Sequence, residues 1–292
     1  MTRNSARAIG ASWRRATAAF FGAAVLAGCQ SAPASLAPAE AGSFAPLIDL
    51  PSVTGTTYYL SPVGRDAGAG TIDDPWATML HAAEFLGPGD ALIARGGRYV
   101  GQGGKGWHAS GEPGAPILFA SYPGETPIFD GDGAGSFLIL EGVSYLHILG
   151  LTITRYAPDG TGVLVIIEDS RGITLDRLAM YGNAREQQAG VWTEHLIYPG
   201  QGPVRDLTVR DSVLDAEGLQ GAAIHVYHDP GPINMLIEGN AISNAHWGVV
   251  IDADAHGVTI RDNEMRGNDI DVAVLDDRAT DVVVEPSEQR RD

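Results

Sequence analysis

A single cysteine, Cys29, stands in 292 residues, and lysine is as scarce, with Lys105 alone. One thiol excludes an internal disulfide, so packing and hydrogen bonding must carry the stability. Basic residues number 19 against 36 acidic ones, a formal charge of −17. A surface of that sign is a poor non-specific partner for nucleic acid or anionic headgroups. Cations, neutral glycans and cationic polymers suit it better, and a polyanion would need calcium or a local basic cluster. The apolar stretch from Ala16 to Leu26 is too short to span a bilayer as a mature helix. What abounds is hydrophobic content, 44%, and glycine, 38 residues, enough for a sizeable core with many turns.

Arg3, Arg7, Arg14 and Arg15 precede that apolar stretch, the pattern of a signal peptide. It ends in Leu26-Ala27-Gly28-Cys29, which resembles a bacterial lipoprotein lipobox. The resemblance implies removal of residues 1–28, lipidation of Cys29 and an extracytoplasmic, envelope-tethered protein. Gln30 after the cysteine resembles outer-membrane sorting in a Gram-negative cell. Without residues 1–28 the chain keeps 15 basic and 36 acidic residues, a formal −21, so a lipid tether rather than a basic patch would hold it to the membrane. Residues 29–55, rich in Ala, Pro and Ser, read as a flexible linker. Residues 56–286 read as one domain with a cap over 56–90, and 287–292 as a polar tail.

Within the domain an apolar-x-apolar strand followed by a polar corner recurs. It appears at Leu146, Ile173, Leu207, Met235, Val258 and Val282, at intervals of 27, 34, 28, 23 and 24 residues. Those intervals are coil lengths of a parallel β-solenoid with loops of varying size. Asn240 and Asn263 sit at corners, where stacked amides form a structural ladder. Upstream, Thr57–Leu60 reads as a strand. Asp73-Asp74-Pro75 reads as the N-cap and first turn of a helix over Ala77 to Leu86, whose apolar face of Trp76, Met79, Leu80, Ala83 and Leu86 would plug the open end of the coil.

The run from Tyr58 to Tyr99, followed by Pro116–Glu125 and Pro127–Gly131, is similar to the N-terminal capping region of right-handed parallel β-helix proteins of the pectate-lyase-like superfamily. The resemblance covers residues 57 to about 133, and the later coils follow the general pattern. It implies an all-β, right-handed parallel β-helix with a short capping helix. For activity it implies only a scaffold shared by lyases, hydrolases, epimerases, esterases and proteins without catalysis.

A second strand in each coil reads Val163–Glu168, Val191–Leu196, Ile224–Asp229, Val249–Asp254 and Ile270–Leu275. Alternation turns Val163, Val165, Ile167, Val191, Thr193, Ile224, Val226, Val249, Ile251, Ala253, Ile270, Val272 and Val274 into the lumen. The outward ladder then gathers Trp192, Glu194, His225, Tyr227, Asp229, Asp252, Asp254 and Asp271 on adjacent coils. That patch is roughly 10 to 15 Å long, enough for two or three sugar units.

Three chemistries fit this ladder. His225 as base and Tyr227 as acid, with Glu194 or Asp252 orienting the imidazole, would serve proton transfer at a sugar carbon. Glu194, Asp229, Asp252, Asp254 and Asp271 are hard ligands suited to calcium. Glu194 and Asp252, two coils apart, are near the spacing of an inverting hydrolytic pair. Trp192, Tyr227 and His225 would stack on sugar rings, while the acids equally suit a solvated face that keeps the strands from aggregating. Lyases on this scaffold commonly use a Lys or Arg base, whereas Lys105 falls in the N-terminal coils, outside this patch. The reading is thus an envelope-tethered, monomeric protein acting on or binding an extracellular polysaccharide, lyase-like if catalytic. A glycan-binding or surface-interaction lipoprotein without turnover is the alternative, favoured by the small number of coils and the short loops.

Overall fold

The structure, a computed structural model, describes residues 50–285 apart from 134, 157–162, 183–194 and 201. The chain winds as a parallel β-solenoid with three faces. It enters through β1 (Thr57–Leu60) and a five-residue helix α1 (Met79–Ala83), followed by β2 (Ala91–Ala94), β3 (Gly97–Val100) and β4 (Lys105–Trp107). The same three-step order returns in β5 (Ile117–Ser121), β6 (Pro127–Asp130) and β7 (Leu138–Glu141), then in β8 (Leu146–Leu149), β9 (Thr152–Thr154) and β10 (Val163–Glu168). Next come β11 (Thr174–Asp176), β12 (Ala179–Tyr181) and β13 (His195–Pro199). Beyond them β14 (Arg205–Arg210) leads into β15 (Val213–Val226), and β16 (Ile233–Glu238) into β17 (Ala241–Ile251), long strands that each bend across two faces. The last coil holds β18 (His256–Arg261), β19 (Glu264–Arg266) and β20 (Ile270–Val274), before β21 (Val283–Val284).

Face one stacks β1, β2, β5, β8, β11, β14, β16, β18 and β21. Face two stacks β3, β6, β9, β12, the first parts of β15 and β17, and β19. Face three stacks β4, β7, β10, β13, the later parts of β15 and β17, and β20. Strands of successive coils pair in parallel, so equivalent positions form ladders along the axis.

The lumen changes character along that axis. Trp107, Phe119, Phe129, Phe137 and Tyr156 form a chain of rings with centroids 5.1 to 5.7 Å apart in the early coils. Each such ring buries a large apolar area and prefers these tilted or offset contacts. Further on, aliphatic ladders such as Leu175, Val209, Ile237 and Ile260 fill the core, each side chain contributing about 1.5–3 kcal/mol through burial. The expected luminal positions Val165, Ile167, Ile224, Val226, Val249, Ile251 and Ala253 are all buried. Ile270 and Val274 are not, because among the described residues no further strand pairs beyond β20 on that face, and both are more than 40% exposed.

At the corner leaving face one, Ser212, Asn240 and Asn263 stack. The Ser212 N–H donates to Asn240 Oδ1 at 3.0 Å, and the Asn240 N–H donates to Asn263 Oδ1 at 3.0 Å. Both amide Nδ2 groups donate to carbonyls of the preceding coil, Val209 and Ile237, at 2.9 Å. The expected ladder is therefore present and extends to a serine.

Two expectations need correction. The helix is shorter than Ala77 to Leu86, and its N-cap is Thr78, whose side chain accepts from the His81 N–H at 3.4 Å. Asp74 instead closes a tight loop: it accepts from the Ala69 N–H and pairs with Arg65, each at 3.0 Å. Of the face-three strand expected over Val191–Leu196, residues 191–194 lie outside the described residues; the described strand runs from His195 to Pro199, with His195 paired to Val163. Leu196, expected outside, is fully buried in the core.

Candidate functional site

Parallel register determines what face three displays. Lys105 pairs with Ile139, Ile139 with Ile166 and Ile166 with Tyr198. Ile197 pairs with Ile224, which sets Tyr198 beside His225, and His225 pairs with Val250. Lys105 therefore lies on the same face as the ring cluster but three strands from Tyr198, in the N-terminal coils and outside the ring patch. In the next outward column Glu141 and Glu168 are in register, and Tyr227 and Asp252 follow on later coils.

Five rings converge in this array. Those of His195 and His225 are 4.2 Å apart between centroids, and Tyr198 stacks on His195 at 5.8 Å. Tyr227 lies 5.1 Å from His225 and 4.7 Å from His228, whose ring also meets Tyr198 at 6.0 Å. His228 turns outward here, just before Asp229-Pro230 ends the strand. Tyr227 is 46% exposed, the most open ring of the group.

His195 is buried, and its two nitrogens are both engaged. Nδ1 accepts from the Ala222 backbone N–H at 3.2 Å, and Nε2 lies 2.9 Å from His225 Nδ1. Since Nδ1 of His195 carries a lone pair, its proton is on Nε2 and is donated to His225 Nδ1. Neutral His225 then carries its own proton on Nε2. Burial, and secondarily the neighbouring imidazole, push His195 down to about 3. Burial and then His228 push His225 down to about 4. Both rings are neutral at pH 7 because a charge on either would be poorly solvated beside another imidazole.

The expected acids are distributed differently. Asp252 is on the coil after Tyr227, and among the described residues its side chain makes no hydrogen bond. Asp229 accepts from the Asp254 N–H at 2.9 Å and pairs with Arg278 at 2.8 Å, while Asp254 pairs with His256 at 2.9 Å. These two hold the corner together and do not enter the ring cluster. Asp271 accepts from Asn268 at 3.2 Å and lines a hollow with Met265, Val272 and Val284 at the open end of the coil. Trp192, Glu194 and Cys29 lie outside the described residues. Among the described residues no three of His, Cys, Asp and Glu converge as metal ligands.

Tyr198 and His228 stand in the segments 198–201 and 228–231 that the sequence places at the border of the patch, whereas His195 is the site residue that alternation conceals, because its register with Val163 and Ala222 gives it luminal parity. Beside the rings an open groove is lined by His108, Glu141, Glu168, Asp169 and Pro203. Burial, reinforced by Glu141, holds the Glu168 carboxyl above the usual range, against the opposing pull of Lys105 and His228.

Comparison with known proteins agrees with the fold. A family model described as Pel9A-like, right handed beta helix region, matches residues 58–197. A pectate lyase of Emericella nidulans, PEL9, is 35% identical over 82 residues, 28% of this chain and 20% of its own length. The crystal structure of pectate lyase Pel9A superposes with a TM-score of 0.57 at 19% identity, covering 72% of this chain and 53% of that one. The lacto-N-biosidase of Eubacterium ramulus gives 0.54 at 20% identity, covering 70% and 44%. The chain thus spans about a fifth of the curated relative and about half of these structures. At such identities the structural likeness is one of scaffold, a right-handed parallel β-helix.

Proposed function

We propose that this β-helix protein is carbohydrate-active and holds an extracellular polysaccharide against the rings of face three. The observation that carries the reading is the convergence of Tyr198, His225, Tyr227 and His228 on one outward strip. Aromatic faces stack on the C–H faces of pyranose rings, and the phenol and imidazole N–H groups supply directional hydrogen bonds. Similarity to pectate lyases and to a glycosidase on the same scaffold supports the choice of ligand class.

If the site turns substrate over, lyase-like elimination is the chemistry proposed. A base removes the proton on the carbon beside a uronate carboxyl, the glycosidic C–O bond breaks, and an acid returns a proton to the leaving oxygen. His225 is the candidate base and Tyr227 the acid, with Glu194 and Asp252 as flanking groups. For that, His225 must expose a lone pair at Nε2, whereas the bond from His195 favours a proton there. This observation favours the second reading, a glycan-binding protein without turnover. Incubation with a panel of uronate polymers, following absorbance of the unsaturated product, separates the two. Product whose formation is lost in His225→Ala, with the melting temperature kept, supports elimination. No product from any polymer, with glycan retention abolished by Tyr227→Ala, supports the binder. Neither product nor retention would defeat both.

The lipidated Cys29 and an envelope location are part of the same proposal. Cys29→Ser should release the protein from the membrane fraction, and an unchanged membrane association would refute the tether.

A further inference from the structure

We propose that His195 is the positioning residue of the ring site: by fixing the tautomer of His225 it makes the strip an uncharged hydrogen-bond donor, selective for neutral sugar units over uronates. The inference rests on the carbohydrate reading and adds to it the class of sugar.

His195 is set by the main chain. The Ala222 N–H, in a strand where register slips between Leu219 and Ala222, is directed at the imidazole Nδ1 and not at a neighbouring carbonyl. That contact leaves His195 one arrangement in which both nitrogens are satisfied, with Nε2–H donating to His225. His225 must then accept at Nδ1 and donate at Nε2, and among the described residues Nε2 has no hydrogen-bond partner. An acceptor from outside, such as a sugar hydroxyl or ring oxygen, would complete the chain from backbone to ligand. A cooperative run of this kind polarises each successive N–H.

Charge around the rings argues for a neutral ligand. Glu168 and Glu141 border one side and Asp252 the other. Among the described cations, Arg278 is paired with Asp229 and Asp276, and Lys105 stands three strands from Tyr198, about 14 Å by strand spacing. A uronate carboxylate bound here would lose water beside like charges and gain only neutral donors. A neutral pyranose meets no such cost, and the exposed face of Tyr227 offers it a stacking surface.

The test uses the full chain labelled with 15N and observes the imidazole nitrogens at pH 7. The expected spectrum shows His195 and His225 both neutral, each with its proton on Nε2. In His195→Phe the preference of His225 should collapse to a mixture of tautomers. A wild-type spectrum with the His225 proton on Nδ1, or with His225 charged, would overturn the assignment even if the variant fails to fold. In parallel, affinity electrophoresis compares neutral galactan, xylan and glucan with polygalacturonate and alginate. Retention by a neutral polymer at least tenfold stronger than by any uronate polymer supports the inference. Preference for a uronate polymer would overturn the selectivity and leave the carbohydrate reading intact. Retention by none would remove the carbohydrate reading and the selectivity with it, while the tautomer spectrum still judges His195.

Discussion

Faces one and three are built from the same stacked strands yet treat their exteriors in opposite ways. On face one the ladder Asp176, Arg210, Glu238, Arg261 alternates in sign from coil to coil. Asp176, only 1% exposed, is met by His147 at 3.0 Å, Arg177 at 3.1 Å and Arg210 at 2.7 Å, and Arg261 meets Glu238 at 2.6 Å. Its apolar outward residues near the start, Ile93, Leu118 and Leu149, are packed against Leu50, Val53, Tyr59 and Tyr122. On face three the corresponding columns carry Ile166, Tyr198 and His225, with two glutamates side by side. One exterior answers most of its ladder charges within itself; the other keeps ring surface and donors available. A solenoid whose strands are alike in backbone can thus confine ligand contact to one side through side chains alone.

The largest effect expected from breaking this contrast is on face one. Asp176→Ala would leave three cationic or protonatable groups facing a vacated, buried position, costing about 3 kcal/mol and lowering Tm by on the order of 10 °C. A calorimetric shift of under a degree would show that the ladder is solvated decoration. Acid titration sharpens the contrast further. His195 and His225 have folded values of about 3 and about 4 against 6.5 unfolded, so the unfolded chain binds more protons between those limits. Stability should therefore fall as pH drops from 6.5 towards 4. Asp176 is held at about 2 against 3.8, so its contribution is present above 3.8 and lost between 3.8 and 2. Denaturant midpoints measured across both windows should lose part of their upper step in His195→Phe, the His225 share remaining, and their lower step in Asp176→Asn.

Smaller still is the effect of Tyr227→Ala: stability within about 0.5 kcal/mol of wild type, because the ring is exposed, and a fall in glycan affinity of about 1 kcal/mol, roughly fivefold. Equal glycan retention would dissociate the exposed ring from binding. Smallest of all, Glu168→Gln should raise stability by a few tenths of a kcal/mol and Tm by about a degree, since it removes the like charge opposite Glu141. A lower Tm would show that the Glu168 carboxylate is favourably paired.

Much of face one was legible in sequence, because its strands are short, begin directly after a corner and leave little freedom of register. Residues in the left-handed region mark the same corner coil after coil, at Gly150, Arg177, Asp211, Gly239 and Asp262. Gly, Asp and Asn in such positions are an audible signal, though an arginine is not. Face three was legible where the strand follows its neighbour without a long insertion, which is why His225 and Tyr227 were found together. It was less legible at β13, whose described part begins at His195, because the imidazole of His195 has luminal parity in the strand and meets His225 only through the register between coils. Contacts between coils, such as the imidazole pair, have no local signature. They depend on two strands 30 residues apart, and only the register brings them together.

The corner amides of Ser212, Asn240 and Asn263 carry a direction in time as well as in space. Leu178 N–H waits for the Ser212 hydroxyl, Ser212 N–H for Asn240, and Asn240 N–H for Asn263. A chain emerging from its amino end therefore leaves each bend unfinished until the following rung has been laid down, and every rung that arrives locks its predecessor.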